Sequence, residues 1–534
     1  MPMSRRFLRL PVVLGAGLGL VASSVIGLPA GAQTSIASIH AVTETPAQFD
    51  DDAGGNADAD DPAIWRNKAQ PSKSLVITTA KEGGLKVYNL AGVQVQALPV
   101  PAPPGPGLES GRFNNVDLLS GVQFADGKAD VAVVSDRGRD RIRTYRINPG
   151  NAAAPLTDIT AASVPRVFSA TEAEVEDQNT AYGLAAYTDR ATGKHYAIAS
   201  RRNNTTLKLV ELKVVGASIT YTAVRSYSLP ATFTLPNGTR WAPCDEPGTT
   251  PQVEGIVVDT HTGKLYAGQE DVGIWKLNAN LTGSSTLVDK VREFGIPGTY
   301  DPETDECTAG ADPGYGGAHV NADVEGLTIF DDGDGEGYLL ASSQGDNTFV
   351  AYDREGSNRF VTNFRIAAKS TIDGSEECDG AMVSSASFGS AYPDGLLVVQ
   401  DGANTPDVVG DDGERGVAQR QFAGHGSFRS TGHADDGPAL GRVPQGLGTG
   451  GEARAVDDHH RSVRYDVAGG NDRCAAGRAV RVGGRGVDGR VVVHGLRPAP
   501  RAVDVLVGDE EGARGQFGPQ RADGAGSNDL ADAQ

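Results

Sequence analysis

The sequence is short of positive charge. Its 48 Lys and Arg residues stand against 68 Asp and Glu residues, which gives a formal net charge of −20. Binding to a nucleic-acid backbone requires clustered Lys and Arg, so this balance argues against nucleic acid as a partner. Histidine and cysteine are also scarce, at nine and four residues, and no His or Cys spacing suits a zinc site. Any bound metal is therefore expected to have oxygen ligands.

A hydrophobic run occurs at the N-terminus. Arg5 and Arg6 precede an apolar segment over Leu10–Leu28, and Ala30-Gly31-Ala32 follows as a small-residue cleavage motif. These three parts predict an export signal over residues 1–32 and a secreted, extracellular protein. The glycines in the run and the cleavage motif argue against a stable membrane anchor. The arginine pair resembles a twin-arginine signal but lacks the usual residue before Phe-Leu, so the export route stays open.

Cleavage at this motif would start the mature chain near Gln33, with a linker over residues 33–44. In an exported protein the four cysteines can form disulfides, and four cysteines allow three pairings. Cys244 and Cys307 flank the same Pro-, Gly- and Asp-rich stretch, and we favour them as a pair over combinations with Cys378 or Cys474.

Helical periodicity is nearly absent, and one β-rich pattern recurs instead. Six segments share a short apolar strand that ends in small or polar residues: Ser74–Ala80, Ala129–Asp136, His195–Arg202, Gly263–Asp271, Gly337–Asp346 and Gly395–Asn404. The first five are each followed by a second apolar or aromatic run, such as GLKVYNL or VGIWKLN. A strand pair repeated at this spacing predicts an all-β, six-bladed propeller over residues 45–412.

The sixth copy breaks the pattern, because no partner strand is recognisable after Asp412. Residues 413–534 contain no Lys, Ile, Met or Trp, yet five of the nine His residues lie there. This atypical C-terminal tail is interpreted as a low-complexity segment, an unusual extra module or the product of a frame change. We favour the frame change and expect a disordered tail.

Carboxylates concentrate near predicted strand ends. Asp58–Trp65 reads DADDPAIW, and Asn114–Asp117 reads NNVD. Val253-Glu254-Gly255 and Val324-Glu325-Gly326 form a near-repeat, and equivalent positions of successive blades converge at one end of a propeller channel. Oxygen-only groups of this kind suit Ca²⁺, which also relieves their mutual repulsion. The Asp331–Glu336 run resembles a calcium loop but lies between two strands, so it is predicted to be a hairpin turn.

These motifs resemble those of the β-propeller phytases, the calcium-dependent 3-phytase type. The likeness rests on DADDPAIW, on NNVD, on Asp323–Ile329 (DVEGLTI) and on Leu339–Gly345 (LLASSQG), and it covers roughly residues 45–412. It implies several bound Ca²⁺ ions and hydrolysis of phytate or calcium phytate, a small-molecule substrate, by a phosphatase that we expect to be monomeric.

The resemblance also implies roles for individual residues. It implies cleft calcium ligands at Asp61, Asn115, Glu254, Glu270, Asp323, Glu325 and Asp379. It implies structural calcium ligands at Asp373 and Asn404. It implies phosphate contacts at Lys81, Arg137, Arg202 and Asn203, with Tyr182 in the cleft and Glu254 also catalytic. The chain departs from the family at Glu82, where a second Lys is frequent, and at Arg202, where Lys is common.

The chemistry of these residues agrees with the resemblance. Calcium ions held by the carboxylates would invert the local potential, bind phosphate oxygens and activate a water, while Lys81, Arg137 and Arg202 would donate to the phosphoryl group. No nucleophilic Ser, Cys or His is required, and the RHGxRxP and Cys-x5-Arg phosphatase signatures are absent. Two alternatives stay open: a calcium-dependent propeller lactonase or esterase, and a non-enzymatic, calcium-stabilised ligand-binding propeller.

Overall fold

The computed structural model describes residues 36–49, 59–304 and 306–405, and the strands over 408–409, 415–424, 482–485 and 491–493. The predicted export signal and most of the predicted tail lie outside the described residues. The chain divides into two compact units, of which the second spans residues 428–503.

Three short strands begin the described chain, and four sheets of consecutive antiparallel strands follow. The first three strands are β1 (Ala37–Ile39), β2 (Ala41–Glu44) and β3 (Gln48–Phe49). The first sheet contains β4 (Pro62–Trp65), β5 (Leu75–Thr79), β6 (Leu85–Asn89) and β7 (Gln94–Leu98). The second sheet contains β8 (Phe113–Phe124), β9 (Gly127–Asp136), β10 (Arg141–Ile147) and β11 (Leu156–Asp158).

The third and fourth sheets repeat this order. The third sheet contains β12 (Ala181–Thr188), β13 (His195–Arg201), β14 (Thr206–Val215) and β15 (Ser218–Ser228). A small hairpin then pairs β16 (Phe233–Thr234) with β17 (Arg240–Trp241). The fourth sheet contains β18 (Val253–Asp259), β19 (Lys264–Gln269), β20 (Gly273–Asn278) and β21 (Thr286–Lys290). A second small hairpin pairs β22 (Gly298–Asp301) with β23 (Glu306–Ala309).

The last two sheets recruit strands from the N-terminal segment. The fifth contains β24 (Val324–Gly333), β25 (Glu336–Ser343), β26 (Thr348–Asp353) and β27 (Phe360–Ile366), and β1 adds to β27 in parallel. In the sixth, β28 (Ala381–Ser384) pairs with β29 (Leu396–Asp401), and β29 pairs with the strand over Arg415–Gly424. The strand over Arg415–Gly424 is β31, because the short strand β30 (Val408–Val409) precedes it in the sequence. The other edge of β31 pairs with β2.

These pairings correct two expectations about the ends of the domain. A partner strand does follow Asp412, because β31 runs antiparallel to β29. The segment interpreted as a linker contains β1 and β2, which belong to the fifth and sixth sheets. The limits 45 and 412 are thus too narrow at both ends. Pairing with a buried neighbour decides strand formation here, since β-propensity depends strongly on context.

Apolar side chains fill the space between neighbouring sheets. One cluster joins Ile64, Val76 and Tyr88 of the first sheet to Leu396 and Val398 of the sixth. The innermost strands β4, β8, β12, β18, β24 and β28 contact one another in that order, and β28 contacts β4. Sheets that pack face to face, with their innermost strands arranged in a closed ring, define an all-β propeller. The described residues include one short α-helix, α1 (Glu172–Glu176), and two 3₁₀ turns, Pro71–Lys73 and Gln344–Asp346.

Several local predictions are confirmed. Each of the six recurring segments forms the second strand of a sheet, and the first five partner runs form the third strand. The Asp331–Glu336 run is a hairpin turn, with Gly333 paired to Glu336. Cys244 and Cys307 form a disulfide, and Cys378 is buried.

The tail contributes one further hairpin. Within it β32 (Val482–Arg485) pairs with β33 (Val491–Val493), and the remainder beyond Gly424 lies outside the described residues. The frame-change interpretation of the tail therefore stays a prediction. In the described part of the chain, no helix has the length and apolar character needed to cross a membrane.

Candidate active site

Bulges at the start of the inner strands shape the site. The register of the inner strand against its neighbour shifts between Phe113 and Val116, Ala181 and Leu184, Val253 and Ile256, and Val324 and Leu327. A bulge frees residues from the ladder and re-aims their side chains. Each of these four bulges carries candidate site residues, which are Asn114 and Asn115, Tyr182, Glu254 and Glu325.

Glycines in the inner strands, one after Glu254 and one after Tyr182, allow these strands to approach closely. A Cβ atom at Gly255 would lie 2.0 Å from the carbonyl oxygen of Glu325, and one at Gly183 would lie 2.0 Å from that of Glu254. Any larger residue would push these strands apart. Gly255 is thus a packing requirement that holds the backbone of Glu254 close to that of Glu325.

Three buried glutamates form the centre of the site, which we name the carboxylate cluster: Glu254, Glu270 and Glu325. One oxygen from each lies within 4.8 Å of the others. The Oε2 atom of Glu325 is buried and accepts no hydrogen bond from the described residues. Burial, followed by the charges of Glu254 and Glu270, raises the pKa of Glu325 well above its usual value. The cluster is therefore costly without a cation, and its all-oxygen donors fit Ca²⁺.

Neighbouring polar groups orient the cluster. Asn114 Nδ2 donates to Glu254 Oε1 over 2.7 Å, and the hydroxyl of Tyr182 donates to Glu254 Oε2. Burial and then the charge of Glu254 raise the pKa of Tyr182, which keeps this hydroxyl protonated. The Oδ1 atom of Asn114 is buried and accepts no hydrogen bond within the described residues, so it is a further candidate ligand.

The first sheet adds acidic groups and a lysine. Asp60 is almost fully buried, and burial followed by the charge of Glu254 raises its pKa well above the usual value. Lys81 Nζ lies 3.8 Å from Asp379 Oδ2, and its charge opposes the rise at Asp60. Asp61 Oδ2 instead accepts the backbone N–H of Val116 over 2.9 Å.

Two more predicted ligands, Asp323 and Asp379, border the cluster, and both of their charges contribute to the raised pKa of Glu325. Asp379 Oδ1 also accepts from Gln344 Nε2 over 2.7 Å. The side chain of Asn115 accepts from Asn114 Nδ2 over 3.0 Å, so this pair of amides lies against Glu254. Asp60 and Asn114 were not among the predicted ligands, although both belong to motifs singled out in the sequence.

Two of the predicted phosphate contacts, Arg137 and Arg202, lie close to each other and near Tyr182. The guanidinium of Arg137 lies 5.9 Å from the ring centre of Tyr182. Burial, then the charges of Arg202 and Arg112, lower the pKa of Arg137 to about 9, so it stays charged at neutral pH. The backbone N–H of Arg202 donates to the Thr180 carbonyl. Anions are thus expected to bind beside these guanidinium groups.

Asp373 and Asn404 belong to a different acidic group. The charge of Asp373 contributes to the raised pKa of both Glu44 and Asp401. Burial raises the pKa of Asp401 to about 8. The backbone N–H of Thr405 donates to Asp373. Asn404, which precedes Thr405 in the sequence, is buried. Glu44 and Asp401 were not predicted from the sequence. Glu44 reaches this group through the pairing of β2 with β31.

The site thus combines buried carboxylates on the inner strands of a β-propeller with basic side chains close to them. The family model described as Phytase matches residues 11–233 and 246–415. A "3-phytase" of Bacillus subtilis (strain 168) is 32% identical over 397 residues, which cover 72% of this chain and 87% of that protein. The chain belongs to the phytase family, and it is a hydrolase of that family.

Solved structures give a weaker likeness. The RRP9 WD40 repeats align with a TM-score of 0.35 and 11% identity, over 73% of this chain and all of that chain. A Lactobacillus plantarum protein aligns with a TM-score of 0.31 and 14% identity, over 56% of this chain and 70% of that chain. At such TM-scores nothing further follows from either structure.

Proposed function

We propose that this protein is a calcium-dependent phytase that hydrolyses phosphate monoesters of myo-inositol hexakisphosphate and releases inorganic phosphate. The observation that carries the proposal is the carboxylate cluster of Glu254, Glu270 and Glu325 with Arg137 and Lys81 beside it. An acidic cleft alone would repel phytate, so a bound cation is needed for any phosphate to enter. The 3-phytase relative supports phytate as the substrate.

The chain's own residues divide into ligands and phosphate contacts. Glu254, Glu270 and Glu325 would hold calcium, with oxygens of Asp60 and Asn114 at hand. Calcium, when bound, supplies positive charge towards the phosphate oxygens and lowers the pKa of the water that attacks phosphorus. As the new bond from the water oxygen to phosphorus forms, the bond from phosphorus to the inositol oxygen would break, and the proton that the water gives up would pass through solvent to the inositol oxygen, which leaves as a hydroxyl.

Each flanking residue has a separate role in this reaction. Arg137, Arg202 and Lys81 would donate to the phosphoryl oxygens as negative charge develops on them. Tyr182 holds Glu254 in place through its hydroxyl rather than acting as a nucleophile. The acidic group of Glu44, Asp373 and Asp401, with Asn404 nearby, is proposed to hold a structural calcium ion that ties the N-terminal segment to the sixth sheet.

We further propose that the propeller has six blades and that the protein is exported as a monomer. The sixth sheet would be the last blade, completed by β31 and β2. Cleavage near Gln33 would leave β1 and β2 intact in the mature chain. N-terminal sequencing of the exported protein tests this site, since a start beyond Ala41 would remove a strand that the sixth sheet uses.

Phosphate release from phytate, with and without a calcium chelator, tests the proposed reaction. Glu325→Gln sharpens the test because it removes one buried negative charge while keeping the side-chain shape. Without calcium, the variant is expected to melt at a higher temperature than the parent, since repulsion within the cluster is relieved. With calcium, it should melt lower than the parent, because a ligand is lost and ligand binding stabilises the native state.

Glu211→Gln is the control, since Glu211 pairs with Lys194 and Lys213 away from the cluster. It should leave the effect of calcium on melting and on phosphate release unchanged. Undiminished phosphate release in excess chelator would reject calcium dependence. Identical melting of Glu325→Gln and the parent under both conditions would reject the cluster as the binding site.

A further inference from the structure

One buried side chain joins the carboxylate cluster to the turn that carries Arg202. Gln252 is 6% exposed and precedes β18. Its Nε2 atom donates to Glu270 Oε2 over 2.9 Å. Its Oε1 atom accepts the backbone N–H of Asn203 over 2.9 Å. A single amide therefore contacts a candidate metal ligand at one end and the candidate phosphate-binding turn at the other.

The two contacts fix the orientation of this amide. A flipped amide would place its NH₂ group against the Asn203 N–H and its oxygen against the Glu270 carboxylate, and both contacts would be repulsive. A neutral side chain that donates at one end and accepts at the other is required, which among side chains of this length only Gln provides. The backbone supports the same link, because the N–H of Glu270 donates to the carbonyl of Gln252 over 3.2 Å.

The turn at Arg202 and Asn203 needs such support. Asn203 has a φ of +54°, a left-handed conformation that non-glycine residues adopt at some cost. Its carbonyl accepts the N–H of Thr250 over 3.1 Å, so contacts from residues 250 and 252 hold both sides of the residue. The segment that leads into β18 thus holds the residue that follows Arg202, while Thr180 holds the backbone N–H of Arg202 itself.

We propose that Gln252 is a positioning residue that fixes the Arg202 turn relative to the carboxylate cluster. The inference rests on the proposed calcium-dependent function. Residues that orient metal ligands through hydrogen bonds typically change metal affinity or activity by roughly 10–100-fold when removed. Loss of Gln252 would free Glu270 to rotate and the turn to relax, so calcium binding and substrate binding would weaken together.

The test compares the full-length parent with Gln252→Met, which keeps a long, unbranched side chain but removes both contacts. Calorimetric titration with calcium chloride is expected to show calcium affinity lower by roughly 10–100-fold for the site at the cluster. At saturating calcium, the KM for phytate is expected to rise, since Arg202 no longer has a fixed position. Calcium titration reports on the residue independently of turnover.

Asn67→Ala is the matched control. Asn67 is another buried amide with two hydrogen bonds, to the N–H groups of Ala69 and Gln70, and it lies in a loop of the first sheet away from the cluster. It should lower the melting temperature while leaving calcium affinity and KM at the parent's values. If Gln252→Met fails to fold, Gln252→Asn replaces it, because an amide one methylene shorter cannot reach both partners.

A folded Gln252 variant with the parent's calcium affinity and KM would overturn the proposal. Loss of calcium affinity with an unchanged KM would also overturn it, because the link to the turn would then be absent. Failure of the proposed function has a different signature. The parent itself would then show no calcium-dependent release of phosphate from phytate.

Discussion

At the scale of single residues, the site brings together side chains of like charge that repel one another. Three buried carboxylates repel each other, and the guanidinium groups of Arg137 and Arg202 do the same on the phosphate side. A bound cation would relieve the repulsion among the carboxylates, and a bound phosphate would relieve the repulsion between the guanidinium groups. Function and local instability therefore share the same residues.

Replacing Arg137 by Ala should reduce kcat on phytate by roughly 10²-fold or more, the effect of losing one preorganised charge stabiliser. Arg137 is suited to this role because it is held beside Tyr182 and stays charged in a buried position. Steady-state kinetics at saturating calcium measure the change. Arg146→Ala is the control, as Arg146 forms a peripheral pair with Asp126. Near-normal turnover of a folded Arg137→Ala protein would remove Arg137 from the site.

The sequence predicts the acidic residues of the site better than the amide side chains that contact them. Glu254 and Glu325 were recognised because the Glu-Gly pair recurs at equivalent strand starts, a pattern that is visible locally. Asn114 and Gln252 were not, since a bulge next to Phe113 and a contact across to Asn203 decide where their side chains point. Bulges and side-chain contacts between distant segments leave no periodic signal in a sequence.

At the scale of elements, the disulfide connects the segment after the β16–β17 hairpin to the β22–β23 hairpin. The β16–β17 hairpin packs Phe233 and Trp241 on Phe294, with ring centres 5.1 and 4.6 Å from it. Cys244 follows this hairpin directly and is bonded to Cys307 in β23. The family model leaves residues 234–245 unmatched, a stretch that includes β17 and Cys244.

The variant Cys244→Ser/Cys307→Ser should lose about 2–4 kcal/mol of stability, because the disulfide restricts the unfolded chain across the segment it closes. Denaturant unfolding of both proteins measures the difference. A reductant is the control: it should lower the midpoint of the parent and leave that of the double variant unchanged. A parent whose midpoint is insensitive to reductant would contradict the prediction.

Strand pairs were predictable and the closing strands were not. The alternation in GLKVYNL and its spacing from Ser74–Ala80 mark a hairpin, because both strands are local and half of each is buried. β31 is rich in Gly, Ala and Arg, and it forms where β29 and β2 offer edges on both sides. Its position follows from those neighbours rather than from its own composition.

At the scale of the whole molecule, stability should depend on the residues just beyond the predicted domain limit. A chain that ends at Asp412 lacks β31 and leaves the edges of β29 and β2 unpaired, which favours aggregation. A chain that ends at Ser427 retains the strand. We expect the first to melt at a lower temperature and scatter light on heating, and the second to match the full-length protein.

Thermal melting with light scattering on the three proteins measures this difference. Equal melting of the chains that end at Asp412 and Ser427 would show that β31 is dispensable. Lower stability of both relative to the full-length protein would instead assign a stabilising role to residues beyond Ser427.

The pairing of Ala41 with Ala423 has a consequence for the order of folding. β2 is synthesised before the first five sheets, but its partner β31 is synthesised after them. The sixth sheet therefore cannot be completed until those five sheets have been synthesised. Contacts between segments so far apart in sequence form slowly, because the intervening loop must close first. β2 is thus expected to be among the last strands to dock, after β31 has been synthesised.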